Sequence, residues 1–337
     1  MRILIYSPLF YPSVGGLETI VSILAHEFVR QGHDVKLVCS TIANEPDAFP
    51  FDVYRRSSPY ELLKLTDWCD IYFQANVSLK GIWPLIIKRK PLAISHNGWY
   101  SRSSGRIGWQ DRLKQQVSRH AYNISVSRAV ADHLSSESAV IPNAYRDDIF
   151  YLMPEVPRKK HLVFLGRLVS DKGADLLLDA LAQLKSKGLC PQLTIIGNGP
   201  ERETLRRQAI EYEVDSQIEF AGLKTGAELT RMLNEHLVMV IPSRCNEGFG
   251  IVALEGIACG CVIVGSESGG LKDAIGPCGV VFSKGDVTAL TEALFNILRD
   301  ESALTAYRSY ADEHLARHKI ESVAKAYLQV FKRAVEA

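Results

Sequence analysis

Val238-Met239-Val240-Ile241-Pro242-Ser243-Arg244-Cys245-Asn246-Glu247-Gly248-Phe249-Gly250-Ile251-Val252-Ala253-Leu254-Glu255 reads as the end of a strand, a glycine-containing turn and the start of a helix. Gly248 and Gly250 lack side chains, so a ligand can approach the backbone, and unpaired N–H groups at a helix start attract phosphate. Glu247 and Glu255 flank that anion site. Carboxylates touching an anion would repel it, so they suit the hydroxyls of sugar rings, for which they are acceptors.

The same strand-to-helix rhythm extends in both directions. Upstream, Ile3 to Tyr6 precedes a helix-patterned stretch, Leu17 to Gln31, in which Ile20, Leu24 and Phe28 share a face and Gly32 marks the end. Strands follow at Val35 to Val38, Ile71 to Phe73, Leu92 to Ser95, Ile124 to Val126 and Val140 to Ile141. A polar, proline-containing stretch from Tyr151 to Lys160 reads as a linker. A second series then opens with His161 to Gly166 and continues at Leu193 to Gly197, Ile218 to Phe220, Val238 to Pro242, Val262 to Gly265 and Val280 to Phe282. Alternation of this kind means βαβ units and parallel sheets. The 337 residues suit two domains, and ligands of doubly wound sheets bind at the carboxyl ends of the strands. Near the C-terminus, Val323, Tyr327, Val330 and Phe331 make one apolar stripe that needs a surface to lie on.

Composition excludes several classes. Hydrophobic residues make up 47% and charged ones 23%, as in globular domains. No apolar run approaches the roughly 18–20 residues that span a bilayer. Two prolines and Gly15-Gly16 interrupt the N-terminus too early for an export signal. Seven scattered cysteines without a Cys-x-x-Cys pair argue against a disulfide framework or structural zinc, and the expected compartment is a reducing cytoplasm. The formal net charge of +1 hides an asymmetry: from Lys80 to Val130 there are ten Lys/Arg and one acid, Asp111. This stretch contains Lys88, Arg89, Lys90, Arg102, Arg106, Arg112, Lys114 and Arg119, interleaved with Trp83, Trp99, Tyr100 and Trp109. A solvated face, a nucleic-acid surface and an anionic membrane surface all fit such a pattern. For the stretch from Lys80 to Arg128 composition alone leaves all three open.

A second anion site is expected at Gly166-Arg167-Leu168-Val169-Ser170-Asp171-Lys172-Gly173, where Arg can fork onto a diphosphate and Lys act as a point charge. A third glycine turn, Gly15-Gly16-Leu17-Glu18, takes the equivalent place in the first domain. Together with Ile141-Pro142-Asn143-Ala144, Glu247-Gly248-Phe249-Gly250 with Glu255, and Ser268-Gly269-Gly270, these motifs follow the order seen in family-4 retaining glycosyltransferases, and the chain resembles that family over nearly its whole length.

The resemblance implies an α/β fold of the GT-B type: two Rossmann-like doubly wound domains facing across a cleft, with a C-terminal helix crossing back to the N-terminal domain. The expected boundaries are 1–152 for acceptor binding, 153–315 for the sugar nucleotide, and 316–337 for the returning helix. It implies that Arg167 and Lys172 hold the donor diphosphate, with Gly166 in the same turn. Gly248, Phe249 and Gly250 would lie near sugar and phosphate, Glu255 would bind the ribose, and Glu247 would accept from the donor sugar. His96 would reach the transferred sugar, and Gly15 and Gly16 would allow close approach to the β-phosphate. Gly197 and Asn198, with Gly222 and Leu223, would surround the base. The expected donor is a UDP-sugar, UDP-glucose or UDP-N-acetylglucosamine, and the acceptor a glycan or lipid-linked saccharide of polysaccharide biosynthesis. Because the family often extends lipid-linked glycans, the resemblance favours docking of the stretch from Lys80 to Arg128 on a membrane or a lipid-linked acceptor, with no nucleic-acid partner. Retention needs no protein nucleophile if the leaving phosphate helps deprotonate the acceptor.

No Asp-x-Asp occurs, so no metal or other cofactor is expected, and side-chain cations must neutralise the leaving group. Bland readings stand beside these. His96 could be a satisfied structural residue, Arg167 and Lys172 could pair with Asp171 and Asp175, and Glu18 could serve only the first turn of its helix. Rival functions are GDP-mannose-dependent mannosyl transfer, a sugar-nucleotide epimerase or sensor, and, remotely, a nicotinamide oxidoreductase, because Gly248 to Ala253 also fits G-x-G-x-x-A. That fingerprint normally follows the first strand of its sheet.

Overall fold

The structure, a computed structural model, describes residues 1–13, 15–43, 48–100 and 108–337. The chain divides into two units, 1–144 with 319–337, and 145–318.

In the first unit, strands β1 (Arg2–Tyr6), β2 (Asp34–Cys39), β3 (Asp52–Arg55), β4 (Ile71–Ala75), β5 (Leu92–His96), β6 (Tyr122–Ser125) and β7 (Ser138–Val140) form one sheet. Among the described residues its order is β3-β2-β1-β4-β5-β6-β7, and every pairing is parallel. Ile3, Leu4 and Ile5 are all fully buried. Successive side chains of a strand point to opposite faces, so the sheet is covered on both. The helix Gly16–Arg30 buries Ile20, Leu24 and Phe28, the expected stripe, and Gly32 follows with φ +80°. The C-terminal helix, Ile320–Glu336, lies in this unit. Its Phe331 ring sits 5.6 Å from that of Phe28 and 5.2 Å from that of Phe73. Tyr327 Oη is 3.0 Å from the buried Ser95 Oγ.

The second unit holds β8 (Lys160–Leu165), β9 (Leu193–Ile196), β10 (Ile218–Gly222), β11 (His236–Ile241), β12 (Val262–Ser266) and β13 (Gly279–Phe282), again all parallel, in the order β10-β9-β8-β11-β12-β13. The order reverses between β8 and β11, which places the two cation- and acid-bearing turns side by side at a topological switch point. The stretch expected to be a linker belongs to this unit, whose border falls at Ala144 and Tyr145. It is tied down by long-range hydrogen bonds. Asn234 Nδ2 donates to Tyr151 O at 3.0 Å, Asn234 Oδ1 accepts from Met153 N at 2.8 Å, and Arg158 donates to the carbonyls of His236 and Cys259 at 2.5 and 2.8 Å.

Candidate donor site

The turn leaving β8 and the turn leaving β11 are laced together by backbone. Arg244 N donates to Asp171 O at 2.8 Å. Gly173 has φ +68°, and a Cβ there would stand 2.1 Å from Pro242 O. The turn leaving β9 crosses the β8 turn as closely: a Cβ on Gly197 would lie 1.9 Å from Gly166 O, and Leu168 N donates to Asn198 O at 2.9 Å. Gly197 N in turn donates to Gly222 O at 2.8 Å, and Leu223 beyond it is exposed. Contact between main chains is thus sufficient reason for Gly173 and Gly197, whatever ligand also approaches them.

Lys172 and Glu247, expected as separate contacts to one ligand, are a pair. Lys172 Nζ is 2.5 Å from Glu247 Oε1, and Ser243 Oγ donates to the same oxygen at 2.6 Å. The backbone of Glu247 is held by Ser268 Oγ, which accepts from its N–H at 3.2 Å, and by Gly270 N, which donates to its carbonyl at 2.8 Å. Glu247 Oε2 has no partner among the described residues. Ser243 and Ser268 thus hold Glu247, and the sequence signals this only by the presence of Ser268 in the Ser268-Gly269-Gly270 motif.

The ion pairs expected of a bland surface are absent here. Asp175 takes Arg244 at 2.5 Å, and the exposed Arg167 guanidinium makes no ion pair among the described residues. The helix Ile251–Ala258 starts after Gly250, whose φ of +97° suits glycine, and has no side-chain cap. The amides of Ile251 and Val252 find no acceptor among the described residues, which leaves the positive pole of the helix open toward the turn. Phe249 is buried, its ring 5.5 Å from that of His318. One turn into the helix, the carboxyl of half-buried Glu255 has no hydrogen bond or ion pair among the described residues. Desolvation pushes its carboxyl up to about 7.

In the first unit Gly15 and Gly16 open the helix Gly16–Arg30. Glu18, in its first turn, is buried and accepts from Ser13 Oγ at 3.1 Å; its carboxylate occupies the space a Cβ on Gly15 would need. This is the helix-start role of a carboxylate.

The structure corrects the reading of His96. The ring is fully buried at the end of β5, and both nitrogens are used. Asn123 Nδ2 donates to carbonyls of Ser118, Ala121 and Glu137, which turns Asn123 Oδ1 toward His96 Nε2 at 2.9 Å. Nε2 therefore carries the proton. Nδ1 accepts from Tyr100 Oη at 2.7 Å, whose oxygen accepts from Val77 N at 3.3 Å. Burial pushes the ring down to about 4, so it is neutral and has no nitrogen left for a sugar hydroxyl.

Residues 153–314 match the family described as Glycosyl transferases group 1. The match lies wholly within the second unit. It is 30% identical over 184 residues to the D-inositol 3-phosphate glycosyltransferase of Corynebacterium jeikeium, a match covering 52% of this chain and 44% of that protein. It is 36% identical over 147 residues, 41% of the chain and 38% of the relative, to a GDP-mannose-dependent phosphatidylinositol monomannoside mannosyltransferase of Mycolicibacterium smegmatis. Against the glycogen synthase of Mycobacterium tuberculosis it is 34% identical over 256 residues, covering 71% and 60%. These matches span only part of each relative. Among solved structures, Anabaena HepE in complex with UDP superposes with a TM-score of 0.83 at 18% identity, covering 99% of this chain and 100% of that one. Sucrose-phosphate synthase from Thermosynechococcus elongatus gives 0.80 at 19%, covering 98% of both. Likeness at such identities establishes the fold alone, two Rossmann-like domains of the GT-B type.

Proposed function

We infer that this chain transfers a hexosyl group from a nucleotide-diphosphate sugar to a glycan or lipid-linked saccharide, with retention at the anomeric carbon and without a metal. The observation that carries the reading is the β8–β11 switch point, where an unpaired guanidinium, an ammonium and an uncapped helix start meet two acids with unused oxygens. Arg167 and Lys172 neutralise the diphosphate as the bond from the anomeric carbon to the phosphate oxygen breaks. The amides at the helix start bind the same charge. The departing phosphate oxygen takes the proton of the acceptor hydroxyl, whose oxygen forms the new bond, so no protein nucleophile is required. Glu247 Oε2 accepts from hydroxyls of the donor sugar while Lys172 and Ser243 hold Oε1, and Glu255 accepts from the ribose. Gly166, Gly197, Asn198, Gly222 and Leu223 edge the base.

UDP-glucose or UDP-N-acetylglucosamine is the proposed donor, in keeping with UDP in the HepE structure. GDP-mannose is the second reading, favoured by the mannosyltransferase among the relatives. We place the enzyme in the cytoplasm at the inner face of the plasma membrane, facing an anionic surface through its basic stretch. The test is thermal unfolding of the full chain with UDP-glucose, UDP-N-acetylglucosamine, GDP-mannose and NAD, with and without EDTA, followed by release of free nucleotide on adding acceptor. A ligand of the native state raises the melting temperature. A rise with one sugar nucleotide, unchanged by EDTA, is expected. A rise with NAD alone refutes the reading, and sugar interconversion without transfer points to an epimerase.

A further inference from the structure

The basic stretch surrounds a groove that no sugar nucleotide would fill. The groove has a volume of about 570 Å³, within the roughly 300–1,000 Å³ of small-molecule pockets, and lies in the first unit between the segment 79–92 and the helix Trp109–Ser118. Leu79, Ile82, Leu85, Leu113 and Val117 form its walls, while Arg89, Lys90 and His120 supply its polar groups. Walls of this kind offer a sugar no hydrogen-bond partners, and burying its hydroxyls there would carry an uncompensated desolvation cost. They suit a hydrocarbon chain.

The surroundings state what the chain should be attached to. Ile86 and Ile87 beside the groove are 80% and 60% exposed, and Trp109 at the start of the helix is 71% exposed. Lys88 is paired with Asp67, and Lys114 lies 3.9 Å from Asp111. Lys80, Arg89, Lys90 and Arg112 make no ion pair among the described residues. Arg102 and Arg106 lie outside the described residues. Apolar side chains standing into solvent beside cations that outnumber the nearby acids, Asp67 and Asp111, match an anionic lipid surface, with hydrocarbon below and phosphate above. Among the described residues no helix is long and apolar enough to cross a membrane, so the contact is interfacial.

We propose that this groove takes one hydrocarbon chain of an anionic phospholipid from a bilayer, with Arg89 and Lys90 on the phosphate and Ile86, Ile87 and Trp109 entering the interface. The proposal deepens the membrane-facing reading of the basic stretch and is independent of the donor site. It is tested by co-sedimentation of the full chain with vesicles of phosphatidylcholine alone and with phosphatidylglycerol mixed in, repeated in the presence of duplex DNA. Binding to the anionic vesicles only is expected. Arg89→Gln with Lys90→Gln should weaken it about 30-fold, each cation near such a surface contributing roughly fivefold. Val117→Phe, which fills the groove and leaves every cation in place, should weaken it several-fold, as should Ile86→Ser with Ile87→Ser, whose exposed positions spare the fold. The melting shift given by the sugar nucleotide should be the same in all variants, so failure here and failure of the donor reading are separable. Equal binding by wild type, Val117→Phe and the Ile86/Ile87 variant overturns the proposal, as does DNA binding without vesicle binding.

Discussion

Replacing Glu255 by Gln should stabilise the ligand-free protein at neutral pH and abolish the proton it releases on binding donor. Desolvation raises its carboxyl from an ordinary 4.5 to about 7, with no cation nearby to offset it. One pKa unit corresponds to about 1.36 kcal/mol, so the ionised carboxylate costs the native state about 3 kcal/mol at most. Between pH 4.5 and about 7 the native state binds the proton that the unfolded chain has lost, and stability therefore falls as pH rises through that window. The buried rings of His96 and His236, both pushed down to about 4, act oppositely, since their contribution is lost as pH falls below the ordinary histidine value. Subtracting wild-type from Glu255→Gln unfolding free energies cancels them, because the sites share no partner. The difference should grow from near zero at acid pH to about 3 kcal/mol above the folded pKa of Glu255. Ribose hydroxyls donating to the carboxylate favour its ionised form. Titration calorimetry of sugar nucleotide in buffers of different ionisation heat should then show a proton released from wild type near pH 6 and none from the variant. A pH-independent stability difference, or donor binding without proton release, refutes the assignment.

Three further outcomes follow from the same geometry. Arg167→Ala should leave the melting temperature unchanged, because the side chain is exposed and unpaired, while turnover drops roughly 10²–10³-fold; unchanged turnover in the folded variant rejects its role on the diphosphate. His96→Ala should cost about 3 kcal/mol in denaturant unfolding, since buried Asn123 Oδ1 and the Tyr100 hydroxyl lose their partner; a large loss of turnover with stability intact would restore a catalytic role. A cycle of Lys172→Ala and Glu247→Gln, read as kcat/KM, should be non-additive by about 1–3 kcal/mol, because the ammonium sets the orientation of the acid. Additive losses would mean that the two side chains act independently.

The strands that the sequence disclosed are those buried on both faces, where apolar residues run together: Ile3 to Tyr6, Ile71 to Phe73, Val238 to Ile241 and Val262 to Gly265 all lie inside observed strands. Asp52–Arg55 carries no such signal because it is a four-residue edge strand, Asp-Val-Tyr-Arg, with only partial burial, and it gains its place by pairing with β2. The division between the two units, at Ala144 and Tyr145, falls before the expected linker for a different reason. Proline and polar residues from Tyr151 to Lys160 have the local composition of a linker, whereas what holds them is Asn234 bonding to the backbone of Tyr151 and Met153, and Arg158 bonding to the carbonyls of His236 and Cys259. Side-chain bonds at such separations leave no periodic trace.

The site shows the same division. Glycine turns at strand ends are local signals, and Gly166, Gly197, Gly248 and Gly250 stand at the carboxyl ends of β8, β9 and β11 as strand alternation implies. Whether a polar side chain there is free for a ligand depends on partners from other elements. His96 loses both nitrogens to Tyr100 and Asn123, the second 27 residues away, and so drops out. Lys172 gains Glu247 across 75 residues, and this changes its chemistry. A lysine held by an acid has already lost rotamer freedom before any diphosphate arrives, so its ordering cost does not fall on binding. The acid it holds keeps one oxygen in use and one available, which directs Glu247 Oε2 alone toward a hydroxyl. An arginine at 167 with no partner offers the complementary feature, a mobile fork that closes on the phosphates only when they are present. The pairing state of each charge, which no motif encodes, thus separates the preorganised half of the anion site from the half that the donor must order.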